Sequence, residues 1–296
     1  MIESFREKIG KYLIHVLFIA ISLFCVVPFL YVLSASFTSQ AGLMQNGYTL
    51  IPSDFSTEAY EYCIKSSKSL LQAYGVTISV TVLGTAISLL LTSMLAYVIS
   101  RRDFRLHRQI AFVVFFTMLF NGGMVPSYIL ITKYYGLRDT LWVMILPYVI
   151  GAWNVFLMKG FFSNVPASLL EASRLDGCTE YGTFFRIVIP VSKPAFATVG
   201  LFTAFGYWND WWLSMMYTTD SNYTSLQYYL QRIMKNIQYL QEAVSRGMAA
   251  SVDMSTFPAS TARMALCVLA AGPMLLVFPF FQKYFVKGLT VGSVKE

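Results

Sequence analysis

The residues best placed to do chemistry lie in 165–190, VPASLLEASRLDGCTEYGTFFRIVIP, a polar stretch between two apolar runs. Glu171, Ala172, Ser173, Arg174, Leu175, Asp176 and Gly177 form its centre. Charges of both signs beside apolar side chains on a short helix suit insertion into a groove of another protein rather than the making or breaking of bonds. Pro166 suits the first turn of such a helix, with Ser163 or Asn164 before it as caps, and Gly177 suits the left-handed position after the last turn. A helix of about eleven residues is predicted. Thr179 then caps a second short helix through about Arg186, before Pro190 and Pro194 lead into the next apolar run.

Other chemistry finds little support. His15 and His107 stand alone, and Cys25, Cys63, Cys178 and Cys267 contain no CxxC pair, so no metal site or disulfide framework is expected. No Gly-x4-Gly-Lys-Ser/Thr phosphate loop occurs, and the chain is not expected to bind or hydrolyse ATP itself. Any energy must come from a partner.

The elements that position the polar stretch are membrane helices. Of 296 residues, 56% are hydrophobic and 12% charged, and the mean hydropathy is +0.57, which predicts an all-α integral membrane protein. The net charge of +7 comes from cations set between apolar runs, a sign of topology rather than of nucleic-acid binding. Six stretches are long enough to span: Tyr12 to Ser36, Ala73 to Ile99, Ile110 to Lys133, Leu141 to Phe162, Pro194 to Tyr217, and Ala262 to Phe285. The first lacks a small-x-small cleavage site and reads as an uncleaved span rather than a signal peptide. In the third, Asn121, Gly122, Gly123 and Pro126 should break or kink the helix, which lipid tolerates only against protein or a water-lined cavity. A cytoplasmic N-terminus puts fourteen of the 22 Lys and Arg inside, so both termini and the polar stretch are expected in the cytoplasm.

Gly84, Ser88 and Thr92 recur at spacing four in the second span, which suits close helix packing or the lining of a path. Two long extracytoplasmic segments follow from this topology, about 37–72 and 218–261, and residues 225–238 of the second read as an amphipathic helix. The fifth span ends in Tyr207, Trp208, Asn209, Asp210, Trp211 and Trp212. Its Trp residues suit an interfacial belt, while an acid within a span usually faces a polar interior. Tyr207, Trp208, Asn209 and Asp210, with the 121–123 break, are therefore candidates for a substrate path or a binding-protein contact.

Glu171-Ala-Ser, Asp176-Gly177 and Ile187-Val-Ile-Pro190 together resemble the cytoplasmic signature of binding-protein-dependent ABC importer permeases, over roughly residues 73 to 285. The six-helix layout is similar to the carbohydrate-uptake class, with the maltose permeases as familiar members. Phe120 to Pro126 resembles the branch serving oligosaccharides from polysaccharide breakdown. The resemblance implies that Glu171 to Gly177 form a coupling helix docked in a partner ATPase, with Glu171 available to an Arg or Lys there. Ser173 stands where the pattern commonly has Ala. Gly288, Leu289, Thr290, Gly292 and Lys295 are similar to that family's tail, which can reach the interface between ATPase subunits, and the glycines suggest an extended, adaptable backbone. Also implied are a second homologous permease, two ABC ATPase subunits carrying ATP and Mg, an extracytoplasmic solute-binding protein, a sugar substrate and a bacterial inner-membrane location. The chain then divides into 1–72 (first helix and extracytoplasmic loop), 73–285 (importer transmembrane domain) and 286–296 (cytoplasmic tail).

Three other readings stay open at this stage. A secondary transporter would carry coupling ions on buried carboxylates or paired broken helices, which one interrupted helix and one Asp support weakly. An integral-membrane enzyme would need converging His, Asp or Glu at membrane depth. An importer of the same type could carry amino acids, peptides or metals.

Overall fold

The computed structural model describes residues 5–64, 67–246 and 259–291. Helices dominate, as expected where backbone N–H and C=O groups must be satisfied within each segment. Among the described residues the only β pairing is the isolated bridge between Thr38 and Phe55. Two compact units form, one from residues 1–67 and 232–272 and the other from 68–231 and 273–296.

In the first unit, α1 (Phe5–Ser36) contains Pro28 and leads to α2 (Gln40–Asn46) and α3 (Glu58–Ile64). Ser39 caps α2 by accepting from the Gly42 N–H at 3.0 Å, and its own hydroxyl donates to Asp54 at 2.5 Å. Gln40 Oε1 accepts from the Ser260 and Thr261 backbone N–H groups, satisfying donors at the start of the last helix.

The second unit is built along α4 (Ser67–Ser100). After it come α5 (His107–Leu119), α6 (Met124–Ile129) with a π turn to Tyr134, α7 (Trp142–Ile145) with a 3-10 turn to Tyr148, and α8 (Ala152–Phe162). The polar stretch forms α9 (Ala167–Leu175), α10 (Glu180–Thr183), a π turn (Phe184–Val188) and α11 (Ile189–Val191). It feeds α12 (Lys193–Trp208) and α13 (Trp212–Tyr217). Two apolar clusters hold this unit. One joins Val76 and Val80 to Val143, Met144, Ile145, Tyr207, Leu213 and Tyr217. The other, at the opposite end of α4, joins Ala96, Tyr97 and Ile99 to Val155, Met158, Phe162, Phe184, Val188, Ala195 and Val199. The last two helices, α14 (Leu226–Ser245) and α15 (Ala259–Val291), each contribute residues to both units.

Among the described residues three helices are apolar and long enough to span singly, Gly10–Ser36, Lys68–Ser100 and Ala259–Phe280. Three bent pairs qualify if each counts as one span: His107–Leu119 with Met124–Tyr134 at 110°, Trp142–Tyr148 with Ala152–Phe162 at 54°, and Glu180–Val191 with Lys193–Trp208 at 84°. The break expected at 121–123 is present. Two further differences have local causes. The fourth stretch is interrupted near Pro147, where α7 tightens to a 3-10 turn before Gly151 starts α8. The fifth, expected to run unbroken to Tyr217, stops at Trp208, and Asp210 begins a new helix by accepting from the Leu213 N–H at 3.1 Å.

The small-residue positions of α4 serve packing inside the unit. A Cβ on Gly84 would lie 2.7 Å from Tyr207 Cζ, so the ring rests directly on the α4 backbone. Ser88 and Thr92 are buried on the same helix.

Candidate functional site

Helix α9 has nine residues rather than eleven, because Pro166 is its N-cap and not its first helical position. Ser163 and Asn164, expected as caps, reach back instead to the Lys159 and Gly160 carbonyls at 2.9 and 3.2 Å and close α8. The other end of α9 matches expectation. Gly177 has φ +75°, the Cys178 N–H reaches the Ser173 carbonyl at 3.0 Å, and the Gly177 N–H reaches the Arg174 carbonyl at 3.0 Å. This paired closure satisfies carbonyls that the helix end leaves free, and it needs a residue without a Cβ penalty at the left-handed position. Thr179 Oγ1 then accepts from the Gly182 N–H at 3.1 Å and opens α10, as the sequence predicts.

Of the α9 side chains only Ser173 is buried, and its hydroxyl is hydrogen-bonded to Thr183 Oγ1 on α10. Glu171, Ala172, Asp176 and Gly177 are exposed, and Leu175 is 89% exposed. Glu171 makes no hydrogen bond or ion pair among the described residues. It lines a cavity of about 440 Å³ with Arg102, Phe162, Val165 and Leu170.

Arg174 differs from its neighbours. Its guanidinium donates to Asp103 Oδ2 and, at 3.1 Å, to Glu180 Oε1. Asp103 also receives Arg101 through Nε at 3.0 Å and Nη2 at 2.8 Å, a two-pronged pair. Arg101 Nη1 meets Tyr97 Oη at 2.6 Å and Glu180 Oε2 at 3.2 Å, and Tyr97 Oη donates to Glu180 Oε2 at 2.8 Å. The Arg101 guanidinium, followed by a second hydrogen bond from Arg174, holds the Asp103 carboxyl well below the usual carboxylate range. In the sequence Arg101 counts only among the cations set between apolar runs. The available signal was Arg101 two residues before Asp103 at the end of an apolar helix, with Glu180 directly after a capping Thr.

At the other end of α4 the candidate path residues separate. Tyr207 and Trp208 are buried at 3% and 4% exposure, and Tyr207 Oη donates to the Ile145 carbonyl at 3.0 Å. That carbonyl sits where α7 tightens into its 3-10 turn. Asn209 is exposed and donates to the Phe205 carbonyl at 3.0 Å, while Asp210 is half-buried and accepts from the Leu213 N–H in the first turn of α13. Asn121, Gly122 and Gly123 are exposed, with Asn121 Oδ1 accepting from the Gly123 N–H at 2.8 Å. Nearby, Asp139 adopts φ 55°, unusual for a residue with a side chain, and accepts from the Thr219 and Asp220 N–H groups at 2.5 and 3.0 Å. Gly288, Leu289 and Thr290 are helical within α15, where an extended tail was expected, because the helix continues to Val291. Gly292 and Lys295 lie outside the described residues. The described residues include no group of three His, Cys, Asp or Glu able to hold a metal ion.

The sequence model for the binding-protein-dependent transport system inner membrane component matches residues 88–291. The polygalacturonan/rhamnogalacturonan transport system permease protein YtcP of Bacillus subtilis (strain 168) is 40% identical over 290 residues, covering 98% of this chain and 99% of that protein. The maltodextrin transport system permease protein MalD of Streptococcus pneumoniae is 29% identical, covering 74% and 73%. A crystal structure of a bacterial ABC transporter involved in the import of the acidic polysaccharide alginate superposes with a TM-score of 0.80 at 28% identity, covering 96% of this chain and 99% of that one.

Proposed function

The chain belongs to the family of binding-protein-dependent transport system inner membrane components, and from that premise we propose that it is the permease subunit of an ATP-driven importer for oligosaccharides. As a family member it is a multi-pass membrane transport component. An extracytoplasmic solute-binding protein delivers the sugar. A second, homologous permease completes the path, and two ABC ATPase subunits carrying ATP and Mg do the hydrolysis. Both termini and the 165–190 loop face the cytoplasm of a bacterial cell. ATP binding closes the ATPases, α9 is displaced, and the membrane helices change between outward and inward access.

The observation that carries this reading is the exposed α9 with Glu171 unpartnered and Leu175 bare. Together they offer a charge and an apolar side chain on one short helix, the combination a groove on a partner protein can receive. Asn209, Asp210 and the 121–123 break remain the candidates for contact with sugar or binding protein, and 288–295 for contact with the ATPases. The cargoes named for similar proteins, polygalacturonan and alginate, favour a uronate-bearing oligosaccharide here.

Co-purification from cells expressing the neighbouring genes tests the reading. The wild-type chain should retain an ATPase, and Glu171→Lys should lose it with the membrane fold intact. In proteoliposomes with the binding protein, oligogalacturonate should stimulate ATP hydrolysis more than maltodextrin. Failure of any ATPase to bind the wild-type chain overturns the importer reading.

A further inference from the structure

The charged side chains where α4 ends form a closed ring. Asp103 lies between Arg101 and Arg174, and Glu180 lies between the same two guanidiniums, using Oε2 toward Arg101 and Oε1 toward Arg174. Two positive and two negative groups alternate, so the ring is internally neutral. Arg101 is its anchor. Its side chain is only 10% exposed, and a guanidinium so enclosed must be fully paired to be tolerated. The Tyr97 ring lies 5.4 Å from it and Tyr97 Oη supplies a further contact.

Packing around this ring is interrupted on two sides. The cavity of about 440 Å³ lies against Arg101, Asp103 and Arg174. A second, of about 250 Å³, lies against Tyr97, Glu180 and Phe184. Helix α9 itself contributes one buried side chain, Ser173, and one half-buried apolar one, Leu170, to the body of the unit. What fixes its free face is therefore polar and directional.

We propose that Arg174 is a strut fixing α9 to the end of α4, with Arg101, Asp103 and Glu180 as positioning residues, rather than a contact to the ATPase. The two charged groups of α9 then divide the work: Glu171, which pairs with nothing among the described residues, is left for a partner, while Arg174 is tied to its own chain through Asp103 and Glu180. A displacement of α9 passes through Asp103 into α4. Isolated exposed ion pairs contribute little, but a network with a buried, two-pronged member has fixed geometry and resists rearrangement.

The role of α9 in coupling rests on the importer reading; the ring does not, and the test separates them. Amide hydrogen exchange of residues 168–175 is followed in the purified full-length chain and in its complex, for wild type, Arg174→Gln and Arg174→Lys. Arg174→Gln removes charge-assisted hydrogen bonds to both Asp103 and Glu180 and should speed exchange roughly tenfold, a factor kept small because all three side chains are about half exposed. The ATPase should still co-purify as with wild type, while sugar uptake in proteoliposomes falls by a similar factor. Arg174→Lys should restore part of both. Unchanged exchange, or loss of the ATPase with Arg174→Gln, would overturn the proposal. Exchange that quickens as expected in a chain that binds no ATPase would support the strut while removing the importer reading.

Discussion

Ser173 and Thr183 meet hydroxyl to hydroxyl across the Gly177 turn, each only 2% exposed. Replacing Ser173 with Ala leaves the Thr183 hydroxyl buried and unpaired, which costs about 1–3 kcal/mol. Thr183→Val should cost a similar amount. The double variant should cost less than the two singles added together, since neither polar group is then stranded. Thermal inactivation of sugar uptake in the four proteins measures this, and strict additivity would show that the two hydroxyls do not depend on each other.

Gly177 should tolerate Asn and resist Ala. Nothing lies within 4 Å of a Cβ built there, so space is not the constraint; φ +75° is. The left-handed conformation costs about 1–2 kcal/mol for an ordinary residue and less for Asn. Uptake assays should rank wild type above Asn and Asn above Ala. Equal activity of the Ala variant would mean that the turn can open without loss.

Gly84→Ala should destabilise the unit, because the added methyl would strike the Tyr207 ring at 2.7 Å. Overpacking of this kind typically costs 1–3 kcal/mol. Tyr207→Ala has its own cost, loss of a large buried ring and of the bond to the Ile145 carbonyl. In the Tyr207→Ala background, however, Gly84→Ala should add nothing measurable. Apparent melting temperatures in detergent decide the matter, and a full penalty in the second background would place the clash elsewhere.

Acid should loosen the α9 region. The Asp103 carboxyl titrates below its unfolded value because Arg101 and Arg174 bind its charged form. A lowered folded-state pKa stabilises above the unfolded pKa, so the contribution is complete above about pH 5. It shrinks progressively below about pH 4 and vanishes below the folded-state pKa. Asp139 behaves with the same sign, held low by the Asp220 and Thr219 N–H groups. Amide exchange in 168–175 should therefore accelerate between pH 5 and pH 3 beyond its intrinsic pH dependence, and Asp103→Asn should remove the excess.

Membrane character and the polar stretch were legible because each rests on local signals. Apolar runs about 20 residues long announce themselves, and Thr179 and Gly177 have the types their turns require. Breaks were legible only where Gly and Pro cluster, as at 121–126. The stop after Trp208 depended on Asp210 finding the Leu213 N–H, a choice between two uses of one carboxylate that composition does not decide. Ser163 and Asn164 were competent caps for either neighbouring helix, and α8 took both. The ring was hidden for a different reason: Asp103 and Arg174 are far apart in the chain, and nothing along the sequence pairs them. Tyr207 looked like a path residue by type, yet the missing side chain of Gly84 draws its ring into the core.

If α9 is displaced as proposed, the 84° corner between Glu180–Val191 and Lys193–Trp208, with Ser192 alone between the arms, would act as a crank. Movement along the first arm has almost no component along the second, so it arrives at α12 as a sideways swing. An axial slide of α12 would drag Lys193, at its first turn, toward hydrocarbon, where a charge is costly. A swing carries no such cost and changes the angle between helices.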